Sequence, residues 1–283
     1  MTAAQTQDPP RVRSWLFTPA NRPGRLASAA DCGADVIIVD LEDAVAADQK
    51  DMARNEAMAW LSKPLPQPVL RALRINSLDS REGLADLADL LDTAAQPDFV
   101  ILPKADSVGQ MQMLDRLFTR HVKTARLVAL VESVAGLAKC EALAQCNTRM
   151  FALMIGAADM ASDLGISVNW NGLAYARSRI AAAAAGAGII ALDSPYFILN
   201  DEAGHRQELS RSMDLGYSAK AAIHPRQIDL INVALSPTSA EIEDAETIVA
   251  LAREGVGVFK GRMVDEAMAR RARRILASAA ERR

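Results

Sequence analysis

Glu132 in "VALVES" and Asp159 in "IGAADMASD" stand 27 residues apart, each just beyond an apolar run. That spacing is one strand–helix unit, so the two carboxylates are expected on adjacent strands, a few ångströms from each other. Carboxylates so placed repel unless a proton or a cation lies between them. Zinc does not suit, because His121, His205 and His224 are scattered and no Cys/His ligand spacing occurs. A hard cation does. Mg²⁺ takes one or two carboxylates and completes its octahedron with water and substrate oxygens, which makes Glu132 and Asp159 candidate ligands of an open catalytic site. Arg74 in "LRIN" offers a guanidinium for a substrate carboxylate or a developing oxyanion. Lys104, closing "DFVILPK", is a further substrate-binding candidate.

A third group sits in "VIIVDLEDAV", where Asp40, Glu42 and Asp43 crowd the end of an apolar strand. An unpaired buried carboxylate costs several kcal/mol, so partners are required. Glu42 and Asp43 are expected to pair with Arg74, and to orient it, Lys104 and metal-bound water.

These residues need elements to hold them. Eight short β-branched runs alternate with amphipathic stretches, at 13–19, 35–41, 69–76, 98–104, 125–132, 150–156, 187–193 and 217–223. In "SREGLADLADLLDTAA" (80–95) Leu84, Leu87, Leu90 and Leu91 repeat at helical spacing. Ser133 is placed to cap a helix over 133–146. Eight alternating units without a linker favour a closed (β/α)8 TIM barrel over an open doubly wound sheet. No GxGxxG follows the first strand, which argues against a dinucleotide site. Barrel chemistry gathers at the C-terminal strand ends. Here those ends read Thr18, Glu42 with Asp43, Arg74, Lys104, Glu132, Asp159, Asp193 and His224. The expected division is a disordered tail over 1–11, a barrel over 12–235 and a helical extension over 236–283, with helices from about Ala240 and about Asp265.

The 283 residues carry a net charge of −3, which gives no global basic field for nucleic acid. Between Lys260 and Arg283 there are nevertheless eight basic residues against three acidic ones. The plain reading is a solvated helix face; the other is contact with an anionic ligand. Three cysteines without a CxxC imply no disulfide framework and fit a reducing cytoplasm. No signal core is apparent, and the alanine run at 181–185 is too short to span a bilayer, so no membrane partner is expected.

The ordered set "RSWLFTPANRP", "GADVIIVDLEDAV", "LRIN", "LPKADS", "VALVESVAGL", "IGAADMASDLG", "YARSRIAAAAAGAGIIALDSPY", "AAIHPRQI" and "GRMVDEAM" resembles the citrate lyase beta-subunit-like proteins. Malyl-CoA and citramalyl-CoA lyases belong to that group, and the likeness runs from Arg13 to about Ile275. It implies a (β/α)8 barrel in trimers or pairs of trimers. It also implies Mg²⁺ (or Mn²⁺) on Glu132 and Asp159, with Arg74 at the substrate's carboxylate or carbonyl oxygen. Asp265 of "MVD" would reach a neighbouring subunit's site as the acid–base group. The implied reaction is cleavage of a malyl-, citramalyl- or citryl-CoA-like thioester to acetyl-CoA and a 2-oxo acid. Two other readings stay open: a class II pyruvate aldolase without CoA, and a subunit of a multi-protein lyase complex using an acyl carrier protein. Ala20 and Ala219 stand where relatives commonly carry Gly, and their methyls are expected to narrow a CoA channel.

Overall fold

The computed structural model describes residues 12–65, 69–253, 255 and 257–280; the expected disordered tail over 1–11 lies outside them. Eight parallel strands close into a barrel in chain order, β8 pairing back onto β1. They are β1 Ser14–Pro19, β2 Val36–Asp40, β3 Leu70–Arg74, β4 Phe99–Leu102, β5 Arg126–Val131, β6 Met150–Ile155, β7 Ile190–Asp193 and β8 Ala219–Ala222. Each of the eight expected strands is present, one to three residues shorter at one or both ends. Between them lie α1 Pro23–Ala29, α2 Lys50–Leu61, α3 Arg81–Asp92, α4 Val108–Arg120, α5 Val134–Leu137, α6 Cys140–Ala144, α7 Ala157–Asp163, α8 Trp170–Ala187 and α9 Glu202–Asp214. After β8 come α10 Ile228–Ala234, α11 Ser239–Arg253, a hairpin of β9 Gly257–Phe259 and β10 Arg262–Val264, and α12 Glu266–Ala280.

The strands are almost wholly buried because both faces are covered, by helices outside and by side chains within. Trp15, Phe99 and Phe151, near the starts of β1, β4 and β6, meet with ring centroids 4.6 to 6.3 Å apart and plug the floor of the barrel. Arg126 lies over Phe151 at 4.3 Å. Polar chemistry is thereby left to the opposite end, where the strands finish.

Local signals set the helix boundaries. Ser80 caps α3 by accepting the Gly83 N–H at 3.0 Å, and Ser133 does the same for Gly136. The single helix expected over 133–146 is divided into α5 and α6. Gly188, at φ 68°, ends α8 in the left-handed conformation that a glycine adopts without a Cβ clash. All three cysteines are free thiols. Among the described residues no helix is long and apolar enough to cross a membrane.

The described residues divide into two compact units, one over Arg13–Asn232 and one made of Val12 with those from Val233 to Ala280. In the C-terminal unit α11 packs on α12. Its hairpin was not expected from the sequence. Lys260 and Gly261, at φ 49° and 77°, make the turn between β9 and β10, as a tight hairpin requires. Asp265 caps α12, accepting the Met268 N–H at 2.8 Å.

Candidate active site

Four strand ends build the site. Asp40 closes β2 and Arg74 closes β3, and the strand register sets them side by side. The guanidinium forks onto Asp40, Nε donating to Oδ1 at 2.7 Å and Nη2 to Oδ2 at 2.6 Å. Nη1 donates to Asp43 at 3.2 Å and lies 2.8 Å from Glu42 Oε2. The ring of Phe17 supports the cation at 4.7 Å. One edge of Arg74 is therefore taken by Asp40, and the Nη1 end, shared with Asp43 and Glu42, is the one an incoming oxygen would have to win. Of the three carboxylates in "DLED", Asp40 holds Arg74 most closely, although the direct pairing was expected from Glu42 or Asp43. The signal was there: Asp40 and Arg74 are both last residues of neighbouring strands.

The loop beneath is held by its own buried network. Lys50 Nζ donates to the carbonyls of Leu41 and Glu42 and to Asn76 Oδ1, each at 2.7 Å. Asn76 in turn donates to the Leu41 carbonyl at 3.0 Å and to buried Asp86 at 2.7 Å. Lys50 and Asn76 fix backbone rather than substrate, and single-residue spacing gave no hint of them.

Glu132 follows β5 directly and is buried. Its Oε1 accepts the Lys104 backbone N–H at 2.7 Å. Lys104 reaches that position at φ +50°, a left-handed conformation costing about 1–3 kcal/mol for a non-glycine residue. The main chain of Lys104 thus positions Glu132. Its side chain is 56% exposed, with Nζ 3.9 Å from Glu42 Oε1, and it borders an open cleft beside the cavity. Asp159 lies in the first turn of α7, just past β6, so β5 and β6 bring the two carboxylates to one wall. Gly156 lets them approach: a Cβ there would come within 2.5 Å of Glu132 Oε2.

Arg74, Glu132, Asp159, Asp40 and Asp43 all line one cavity of 290 Å³, whose other walls are largely apolar. Burial pushes the Glu132 carboxyl up to about 7, the Lys104 N–H opposing the rise and the charge of Asp159 adding to it. Burial likewise pushes Glu42 up to about 8 against the pull of Arg74. The 2.8 Å approach of Arg74 to Glu42 Oε2 is not aligned as a hydrogen bond, so that buried oxygen lacks a hydrogen-bond donor. The site is short of positive charge.

Among the described residues no group of three or more His, Cys, Asp or Glu side chains is arranged to hold a metal. Mg²⁺ does not need one, since two carboxylates suffice when water and substrate complete the shell. The donor set of hard oxygens, the room that Gly156 leaves for Glu132 and the charge that Asp159 sets against buried Glu132 fit such an ion.

The remaining strand ends point elsewhere. Asp193 is fully buried, paired with Arg177 at 3.0 Å and Lys220 at 2.7 Å. His224 accepts the Arg226 N–H through Nδ1 and caps a short 3₁₀ turn. Thr18 is buried on β1. Ala20 and Ala219 are buried too, and neither borders the cavity or the cleft.

The HpcH/HpaI aldolase/citrate lyase family matches residues 13–225. The citrate lyase subunit beta of Escherichia coli K12 is 35% identical, over 94% of this chain and 93% of its own. The L-malyl-CoA/beta-methylmalyl-CoA lyase of Rhodobacter capsulatus is 32% identical over 94% of each chain. Among solved structures, CitE of Mycobacterium tuberculosis in complex with magnesium, acetoacetate and coenzyme A superposes with a TM-score of 0.80 at 32% identity. That match covers 95% of this chain and 98% of the other.

Proposed function

The chain belongs to the HpcH/HpaI aldolase/citrate lyase family, and we propose that it is a Mg²⁺-dependent carbon–carbon lyase acting on a 2-hydroxy-acid CoA thioester. One observation carries the reading: Glu132, Asp159 and Arg74, from three different strand ends, line a single cavity with an unmet need for positive charge.

Glu132 and Asp159 would hold the ion, which supplies Lewis-acid polarisation and a template for the substrate's carboxylate and adjacent oxygen. Arg74, locked by Asp40, offers its Nη1 end to the oxygen on which negative charge develops. In cleavage the hydroxyl passes its proton to water at the cavity mouth, and its C–O bond becomes a carbonyl. The pair of the broken C–C bond passes to the thioester enolate, and a proton returns to that carbon. We assign this proton to Asp265 of a neighbouring chain in a trimer or hexamer. Its Oδ1 caps α12, which fixes the carboxyl's direction. Lys104 would hold Glu132 through its N–H, and Glu42 and Asp43 would keep Arg74 charged and oriented.

The relative named as a subunit favours a second reading, in which the chain works within a multi-protein lyase. One experiment tests both. The purified chain is given malyl-, citramalyl- and citryl-CoA with Mg²⁺, and acetyl-CoA release is followed. Release from at least one ester is expected, lost in excess chelator and restored by Mg²⁺ or Mn²⁺. Full turnover in chelator would defeat the metal site, and no turnover of any free ester would favour the subunit reading.

A further inference from the structure

We infer that the cavity selects a substrate whose 2-oxo acid part carries an uncharged, apolar substituent and no second carboxylate. The inference rests on the lyase reading and narrows its substrate class. Two observations carry it, one of shape and one of charge.

The apolar part of the cavity lining is built by Leu130, Met154, Pro195, Phe197 and Ile223. Leu130 and Met154 are buried at its base. Phe197 and Ile223 stand at the rim, 45% and 40% exposed, apolar surface that a substrate group would cover. This wall is held, not adaptable. Lys220 Nζ donates to the Ser194 carbonyl at 2.8 Å and Gln227 Nε2 to the Tyr196 carbonyl at 2.7 Å, so both sides of Pro195 are pinned. Tyr196 is pinned again through its hydroxyl, which donates to Asp201 at 2.6 Å, and its ring stacks on His205.

Arg74 is the cation among the residues lining the cavity, against Asp40, Asp43, Glu132 and Asp159. Its nitrogens are already shared with Asp40, Glu42 and Asp43. The adjoining cleft adds Lys104 but also Asp79, Asp106 and Asp163. The substrate's first carboxylate and its reacting oxygen use what positive charge the site can offer. A second carboxylate in the cavity would meet its apolar residues or further carboxylates. In the cleft the hydroxyls of Ser77, Ser80, Ser133 and Ser162 and the exposed Lys104 stand among three more carboxylates, so its charge is poorly matched. An alkyl group in the same place loses nothing and covers Phe197 and Ile223. Discrimination here works by rejection as much as by attraction.

The test compares thioesters that differ only in the group on the hydroxyl-bearing carbon: methyl, ethyl or carboxymethyl. With Mg²⁺ and the full chain, kcat/KM for the methyl and ethyl esters should exceed that for the carboxymethyl ester by about tenfold or more, the scale on which one group in a pocket discriminates. Calorimetric titration of pyruvate, 2-oxobutyrate and oxaloacetate into the Mg²⁺-loaded chain should give the same order. Phe197→Lys, at an exposed rim position, should narrow the ratio by about tenfold by giving the carboxymethyl group a partner. Equal or faster cleavage of the carboxymethyl ester would overturn the inference, as would a ratio indifferent to Phe197→Lys. If no free ester is cleaved at all, action of the isolated chain on CoA esters fails and the subunit reading is favoured. The binding order then decides the wall by itself, and tighter binding of oxaloacetate than of pyruvate would sink it.

Discussion

Two clusters of charge stand at the strand ends, and they are built to opposite rules. On β7 and β8 the carboxylate of Asp193 gives one oxygen to Arg177 and the other to Lys220, with Glu208 closing the set 2.9 Å from Lys220. Two cations meet two carboxylates, all of them covered or nearly so. Burial alone would raise the Asp193 carboxyl, yet Lys220 and Arg177 hold it below its usual range. At the mouth above β2, β3, β5 and β6, by contrast, Glu132 and Glu42 sit well above theirs. There Asp40, Glu42, Asp43, Glu132 and Asp159 share Arg74 and a loosely placed Lys104. The closed cluster is charge-matched and pins a loop. The open one carries a deficit that a divalent cation and an anionic substrate's partner groups can use.

The contrast is sharpest when one group is removed from each. Glu132→Ala should abolish turnover and leave the barrel folded, because it relieves crowding at a rim. Lys220→Ala should do the reverse. It strands Asp193 in the interior with Arg177 as its remaining close cation, and breaking a buried pair typically costs about 3–5 kcal/mol. Activity and denaturant midpoints measured on both variants separate the roles. If Lys220→Ala is as stable as the parent, the cluster is not the structural brace described here.

Arg74 belongs to both kinds of chemistry, so it gives a smaller but more informative signal. Arg74→Lys keeps the charge and loses the fork onto Asp40, and kcat should fall by about a hundredfold, the scale of losing one oxyanion donor. Were Arg74 merely the structural partner of Asp40, the melting temperature would drop and specific activity would hold. Measuring both on one preparation decides.

The sequence made the strands legible because burial on both faces leaves near-continuous apolar runs, and period and length identify those without contacts. It made Glu132, Asp159 and Arg74 legible as candidates because each closes such a run. It could not separate Asp193 from them. That distinction depends on Arg177, from α8, and Glu208, from α9, two helices whose inward faces no strand pattern reveals. The hairpin of β9 and β10 was hidden for a different reason. Its strands are three residues each, shorter than any alternation can register, and only the pair Lys260–Gly261 marks the turn. Gly156 carried a readable cue, a glycine immediately after an apolar strand, but its purpose appears only once Glu132 stands over it.

The two clusters should also answer pH differently, and this is the finest test of the contrast. Glu132 and Glu42 are held at about 7 and about 8 in the fold, above the ordinary carboxyl value of 4.5. Over that interval the folded chain keeps protons that the unfolded chain has released. Their contribution is therefore complete below about pH 4.5 and is lost as pH rises through about 7 and then 8. Asp193 has the opposite sign, since its carboxyl is lowered from 3.8. Its contribution is lost only in acid, below the window in question. The metal-free chain should thus lose melting temperature between about pH 6.5 and 8.5 through the mouth, while below about pH 6.5 buried His205, lowered to about 4, opposes that fall. Saturating Mg²⁺ favours the ionised form of Glu132 and should flatten the lower part of that slope. Glu42→Gln should remove the upper part, because it deletes the group that titrates last. Lys220→Ala should lower the whole curve and change its acid side, because Asp193 and His205 both lose the charge that lowers them. A metal-free chain whose melting temperature is flat across the window would mean that Glu132 and Glu42 already find their compensation within the fold, and the two clusters would then be alike.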